Sequence, residues 1–139
     1  MSSKDHKVAA LLESVETGPH DPHFAGYFRC FNEQKFYEAH DVLEALWLQD
    51  RNGQDGDFFK GLIQFAGGFV HLKKQRPRPA WKLFRLCSTY LAKYPSPHLA
   101  LDVTNLLRLA KHWAEAAQAL GREGDLLAEQ TPPTLRLQS

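Results

Sequence analysis

Apolar side chains return every three or four positions along almost the whole chain, and proline and glycine cut the resulting stretches apart. That spacing puts the apolar groups on one face of an α-helix, whereas a half-buried strand needs strict alternation. No segment alternates for long, and Val, Ile and Thr are scarce. The chain is therefore expected to be all-α. Short connections make neighbouring helices pack antiparallel, so the 139 residues predict a single-domain bundle of about five to six helices.

Val8, Leu11, Leu12 and Val15 form a first short stretch, ended by Gly18-Pro19. Phe24, Tyr27, Phe28 and Phe31 form a second stripe. Asn32 suits an N-cap, and Glu33 beside it favours the positive end of a helix dipole. This predicts a third helix from Glu33 to Gln49 with Phe36, Leu43 and Trp47 inward, broken by Asn52-Gly53 and Gly56. A fourth helix, Asp57 to Lys74, carries Phe58, Leu62, Phe65, Phe69 and Leu72. Arg76-Pro77-Arg78-Pro79 cannot continue it, because proline lacks the amide donor and restricts its predecessor. Pro79 suits the first turn of a fifth helix to Lys93, with Leu83, Leu86, Tyr90 and Leu91 apolar. Ser96-Pro97 reads as an N-cap followed by proline. It would open a sixth helix carrying Leu99, Val103, Leu106, Leu107, Ala110 and Trp113, ending near Gly121. Asp125 to Gln130 adds a turn. The domain is thus placed at 1–130, with 131–139 a loose tail behind Thr131-Pro132-Pro133.

A net charge of +1 conceals three blocks. Residues 1–57 hold 11 acidic and five basic groups, residues 58–101 hold eight basic groups and no acid, and residues 102–139 hold five acids and four bases. Such polarity favours internal docking or an anion-facing patch. Cys30 and Cys87 lie in apolar helical patterns and form neither a zinc spacing nor a disulfide framework. The N-terminus lacks the apolar run of a secretory signal, and no apolar stretch reaches the ~20 residues of a membrane span. A cytoplasmic protein is expected.

The informative segment is Phe36-Tyr37-Glu38-Ala39-His40-Asp41-Val42-Leu43-Glu44-Ala45-Leu46-Trp47. His40 and Glu44 stand one turn apart within the aromatic sector of Phe36 and Trp47. Glu38 and Asp41 point elsewhere and are expected to cap, pair or be solvated. In the next helix, Gly61, Gln64, Gly68 and His71 share one face, apart from Phe58, Phe65 and Phe69. Glycines cost about 1 kcal/mol each inside a helix, so a close neighbour is expected there. Packing this face on that of His40 and Glu44 would gather His40, Glu44, Gln64 and His71 into one cluster. Three uses stand open: a satisfied core network, a small-ligand pocket, or a metal site on His40, Glu44 and His71. His-x-x-x-Glu alone is too loose to require a metal, and no cofactor is expected.

Lys73, Lys74, Arg76, Arg78, Lys82 and Arg85 surround Trp81 in a second candidate, an anion or nucleic-acid site. No nucleic-acid-binding signature accompanies it, so a solvated turn, or pairing with the acidic block, is preferred.

Phe31-Asn32, then Phe36-Tyr37-Glu38-Ala39-His40-Asp41-Val42-Leu43-Glu44 and Trp47, then Gly61-Leu62-Ile63-Gln64 and His71, resemble DUF309. This is a family of small all-helical proteins with the pattern E-A-H-x-x-L-E, W and G-L-I-Q in order. The resemblance spans about residues 24–93. It implies a helical fold, leaves the activity open, and singles out Glu38, His40, Glu44, Trp47, Gly61, Gln64 and His71. Two departures stand out: Asp41 replaces the usual glutamate, and Gln75 to Ala80 replaces the usual glycine-rich turn. The preferred reading is a small binding or interaction module for a small ligand or protein partner. The alternatives are a metal- or His/Glu-assisted hydrolase and an anion or nucleic-acid binder at 73–85.

Overall fold

Aromatic rings from five helices meet on Phe69. The computed structural model describes residues 3–13 and 18–138, so Val15 of the first predicted stretch lies outside the described residues. The helices are α1 (Ser3–Leu12), α2 (Pro22–Asn32), α3 (Phe36–Asp50), α4 (Gly56–Lys73), α5 (Pro77–Leu91) and α6 (Val103–Leu120), followed by a 3₁₀ turn at Leu126–Ala128. No strand occurs among the described residues, and from α2 onward each helix packs on the next. The chain is a helical bundle.

Phe69 of α4 has ring centroids within 5.4 Å from Phe31 of α2, 5.0 Å from Phe36 of α3, 5.1 Å from Phe84 of α5 and 4.9 Å from Trp113 of α6. Such pairs add roughly 0.5–1.5 kcal/mol each beyond area burial. The Tyr27 hydroxyl is buried and donates to the Leu62 carbonyl at 2.7 Å, so its burial leaves no orphan polar group.

Two tight reversals set the frame around α4. Gln34 (φ 61) and Gln75 (φ 57) adopt left-handed backbone after α2 and α4. The Lys35 amide then donates to Cys30 O at 2.9 Å, and the Arg76 amide to His71 O at 2.9 Å, closing carbonyls the helix ends would leave open.

Four predicted boundaries shift. Asn32 is not the N-cap of α3 but the last residue of α2, and α3 starts at Phe36 behind Lys35. Its amide is used across the chain instead: Nδ2 donates to Leu135 O at 2.8 Å and Oδ1 accepts from Leu135 N at 2.7 Å. Leu135 is buried, so the segment expected to be loose is pinned there, and Gln138 N reaches Ala100 O at 2.7 Å. Ser96-Pro97 does not start α6. The bond is cis, Leu99 and Ala100 have positive φ, and His98 bridges Leu101. Asp102 caps α6 through Asn105 N at 3.0 Å, while Ser96 Oγ accepts from Thr104 N at 3.1 Å. The capping chemistry expected of Ser96 is present, delivered from eight residues away. Finally, α5 begins at Pro77 rather than Pro79, Leu99 precedes α6 rather than lying on it, and Leu86 and Leu99, counted in the apolar stripes, are exposed.

Candidate binding site between α3, α4 and α5

The stripe Gly61, Gln64, Gly68 and His71 serves two neighbours, not one. A Cβ at Gly61 would stand 2.8 Å from Leu91 Cγ, and one at Gly68 would stand 2.5 Å from the Phe84 ring. Both contacts are to α5, so the glycines admit α5 and not α3. Residues at these spacings spread over about 80° of helix circumference, enough to reach two flanking helices. The other edge, Gln64 and His71, faces a cavity of about 160 Å³ lined also by Tyr37, His40, Gly67, Val70 and Leu83. His40, Gln64 and His71 therefore share one cavity, built from α3, α4 and one residue of α5.

Glu44 does not line it. Its Oε2 lies 3.9 Å from His40 Nε2, and its Oε1 accepts from Lys4 of α1. That hydrogen bond, opposed by partial burial and aided by Asp41, holds the Lys4 ammonium above its ordinary range. Asp41, expected to be turned away, is the one buried polar or charged residue among those described. Its Oδ1 lies 3.3 Å from His40 Nδ1 and 3.3 Å from Lys4 Nζ, and its Oδ2 lies 3.8 Å from Lys7 Nζ. Lys4 and Lys7, three residues apart on α1, were the available signal. They lay one turn apart on one face, yet nothing in sequence tied that face to α3.

His71 occupies the last turn of α4. Its Nδ1 is buried and has no hydrogen-bond partner. Burial first, then the charges of Lys74 and Arg76, push the imidazole below its ordinary value of 6.5, so it is held toward the neutral form. A neutral imidazole still has one donor and one acceptor nitrogen to satisfy. The lining therefore brings two imidazoles, an amide and a phenol to one small space.

The other motif residues stand outside. Trp47 is half-buried with Lys60 Nζ 4.4 Å from its ring centroid, and the charge of Glu38, after burial and the charge of Glu33, helps raise the Cys30 thiol above its ordinary range. Among the described residues no group of three or more His, Cys, Asp or Glu could hold a metal ion, so His40, Glu44 and His71 do not form such a set. The basic run is split: Lys73 donates to Gln34 O at 2.7 Å, whereas Arg85 stacks 4.4 Å over Trp81 and bonds Gln118 of α6. Arg76, Arg78 and Lys82 are exposed. The acidic block finds cations chiefly within itself, through Lys4 and Lys7, and the ion pair Lys93–Asp57 is the main exception. Charge polarity thus docks α1 on α3, and does not join α3 to α4. His98, without an evident partner in sequence, lies 2.8 Å from Asp55. A larger groove, about 550 Å³ between α5 and α6, contains none of the motif residues.

The match to known families falls on the segment that builds this cavity. Residues 24–83 match DUF309, a domain of unknown function. Comparison with curated proteins and with solved structures gave no match. The DUF309 segment runs from Phe24 of α2 to Leu83 of α5, and so contains every residue lining the cavity. Its description names no activity. Within this segment the Asp41 carboxylate sits between His40 and the α1 lysines. No helix among the described residues is long and apolar enough to cross a membrane.

Proposed function

We propose that this protein is a binding module whose recognition centre is the cavity of His40, Gln64 and His71. The observation that carries the reading is that His40, Gln64 and His71 line one cavity, with His71 Nδ1 buried and without a hydrogen-bond partner. An unsatisfied buried polar atom costs about 1–3 kcal/mol, so the His71 ring gains from any rearrangement that gives this nitrogen a partner. At about 160 Å³ the space is well below the ~300–1,000 Å³ of pockets for drug-sized ligands, so its occupant is a small polar molecule or the tip of a larger one. Gly67, Val70 and Leu83 supply apolar wall, and the two imidazoles and the amide fix orientation. A core network fits less well, because a network that served stability alone would satisfy His71.

The test is fragment binding read by NMR, with Leu83→Trp as the blocking variant. Leu83 is half-buried at the cavity, so a larger ring there fills it from the α5 side. Small polar fragments are expected to shift His71, His40 and Gln64 side-chain resonances in the native protein and not in the variant. Shifts that persist in a folded Leu83→Trp protein would overturn the assignment.

A further inference from the structure

The cavity has a charge asymmetry, and it specifies a class of ligand for the binding site proposed above, on which this inference rests. On the α3 side the carboxylates of Asp41 and Glu44 already meet Lys4, Lys7 and His40. The α4 side is different. The turn after α4 folds back on its own last residues: His71 O accepts from the Lys74 amide at 3.0 Å and the Arg76 amide at 2.9 Å, with Gln75 in the left-handed region between them. This closure holds Lys74 and Arg76 beside His71. Lys74 Nζ also stands 5.9 Å from the centroid of the Tyr37 ring, a cavity wall, and Lys7 Nζ stands 5.6 Å from the same centroid. Neither Lys74 nor Arg76 has a carboxylate partner among the described residues. Two cations without carboxylate partners therefore stand on the turn that follows His71, beside a small, partly apolar space that His71 and Gln64 line.

We propose that the cavity binds a small oxyanion, a carboxylate or phosphate group, hydrogen-bonded by His71 and Gln64 and neutralised by Lys74 and Arg76. Hydrogen bonds with a charged partner are about twice as strong as neutral ones, and they gain further where water is scarce. An anion also reverses the local bias on His71. Burial and the two neighbouring cations keep the imidazole toward neutrality, whereas a bound anion favours the imidazolium. His40 and Tyr37 face the same space, and Asp41 and Glu44 face His40 from its own helix, so His71 must be read separately from His40.

The experiment records imidazole and side-chain amide NMR spectra of the full chain at constant ionic strength. The probes are inorganic phosphate, acetate and the uncharged isostere acetamide. Phosphate or acetate is expected to shift His71 and Gln64 saturably and to raise the His71 titration midpoint, with acetamide binding more weakly. Lys74→Ala/Arg76→Ala, two exposed positions, is expected to weaken anion binding by about tenfold or more, the loss of one charge-assisted contact. Acetamide binding should be unchanged in it, and Arg78→Ala/Lys82→Ala should retain anion affinity. Acetamide binding as tightly as acetate, or full anion affinity in Lys74→Ala/Arg76→Ala, would overturn the anionic class while leaving a binding site. No response to any of the three probes would sink both.

Discussion

Gly68→Ala measures which helix the glycine edge of α4 receives. An added Cβ would lie 2.5 Å from Cε1 and Cζ of Phe84 and 2.9 Å from its Cδ1. Favourable carbon contacts sit near ~3.5–4.0 Å, so the methyl overlaps the ring by about 1 Å. The ring has little room to move: Phe84 is 0% exposed and packs edge-on against Phe65 at 5.7 Å and Phe69 at 5.1 Å. Overpacking of this kind costs roughly 1–3 kcal/mol, and alanine returns about 1 kcal/mol of helix propensity. With Phe84 held this tightly the net loss is expected toward the upper end of the resulting range of about 0–2 kcal/mol, a fall of up to roughly 1 M in the urea midpoint. Gly67→Ala is the contrast, because its Cβ meets only Leu83 Cδ1 at 2.9 Å, the end of a half-buried side chain. Its stability should change by about 0.5 kcal/mol or less. The decisive arm is Phe84→Leu in the Gly68→Ala background, which removes the clashing ring carbons. The double-mutant cycle should then show a favourable coupling of about 1 kcal/mol or more. Simple additivity of the two substitutions would refute the packing argument.

Asn32→Ala removes both bonds to Leu135 and is expected to cost about 1–2 kcal/mol. Hydrogen exchange at the Leu135 amide should accelerate beyond the global change, and exchange that follows only global unfolding would contradict the pinning role. Cys87 and Cys30 are buried, and burial raises both thiols above the ordinary range, Cys87 far above it. Neither should react with a thiol reagent until urea unfolds the chain, and rapid labelling of native protein would count against this packing. His71 has a folded pKa below its unfolded value of 6.5, so its neutral form is the one folding prefers. Its contribution is fully present above pH 6.5 and is lost as pH falls from there through the folded pKa, because the unfolded state takes up the proton first. His71→Gln should flatten that part of the stability–pH profile, and an unchanged slope would exclude the effect.

The helices themselves were legible because burial imposes one rhythm. Phe24, Tyr27, Phe28 and Phe31 could only share a face as a helix, and all four are buried. Where local capping chemistry competed with long-range partners, the sequence misled. Asn32 has the right chemistry for an N-cap and is used to hold Leu135, and Ser96 caps α6 from across a loop. Two turns closed by glutamine at positive φ carried no glycine to announce them.

For the site, periodicity placed Gln64 and His71 on one edge of α4 and His40 on α3, and this much followed from the helical repeat alone. It cannot apportion an edge of about 80° between two neighbours, so it does not reveal that α5, and not α3, fills the glycine positions. Nor could it bury Asp41, whose surroundings come from Lys4 and Lys7 on α1. The sequence by itself determined the helical class, the polar residues set into apolar faces, and the DUF309 motif. The tertiary structure decided which faces meet, which carboxylate is buried, and that the turn carrying Lys74 and Arg76 closes back on His71. Helical periodicity is a property of one segment, whereas partners, burial and local field are set by residues far apart in the chain.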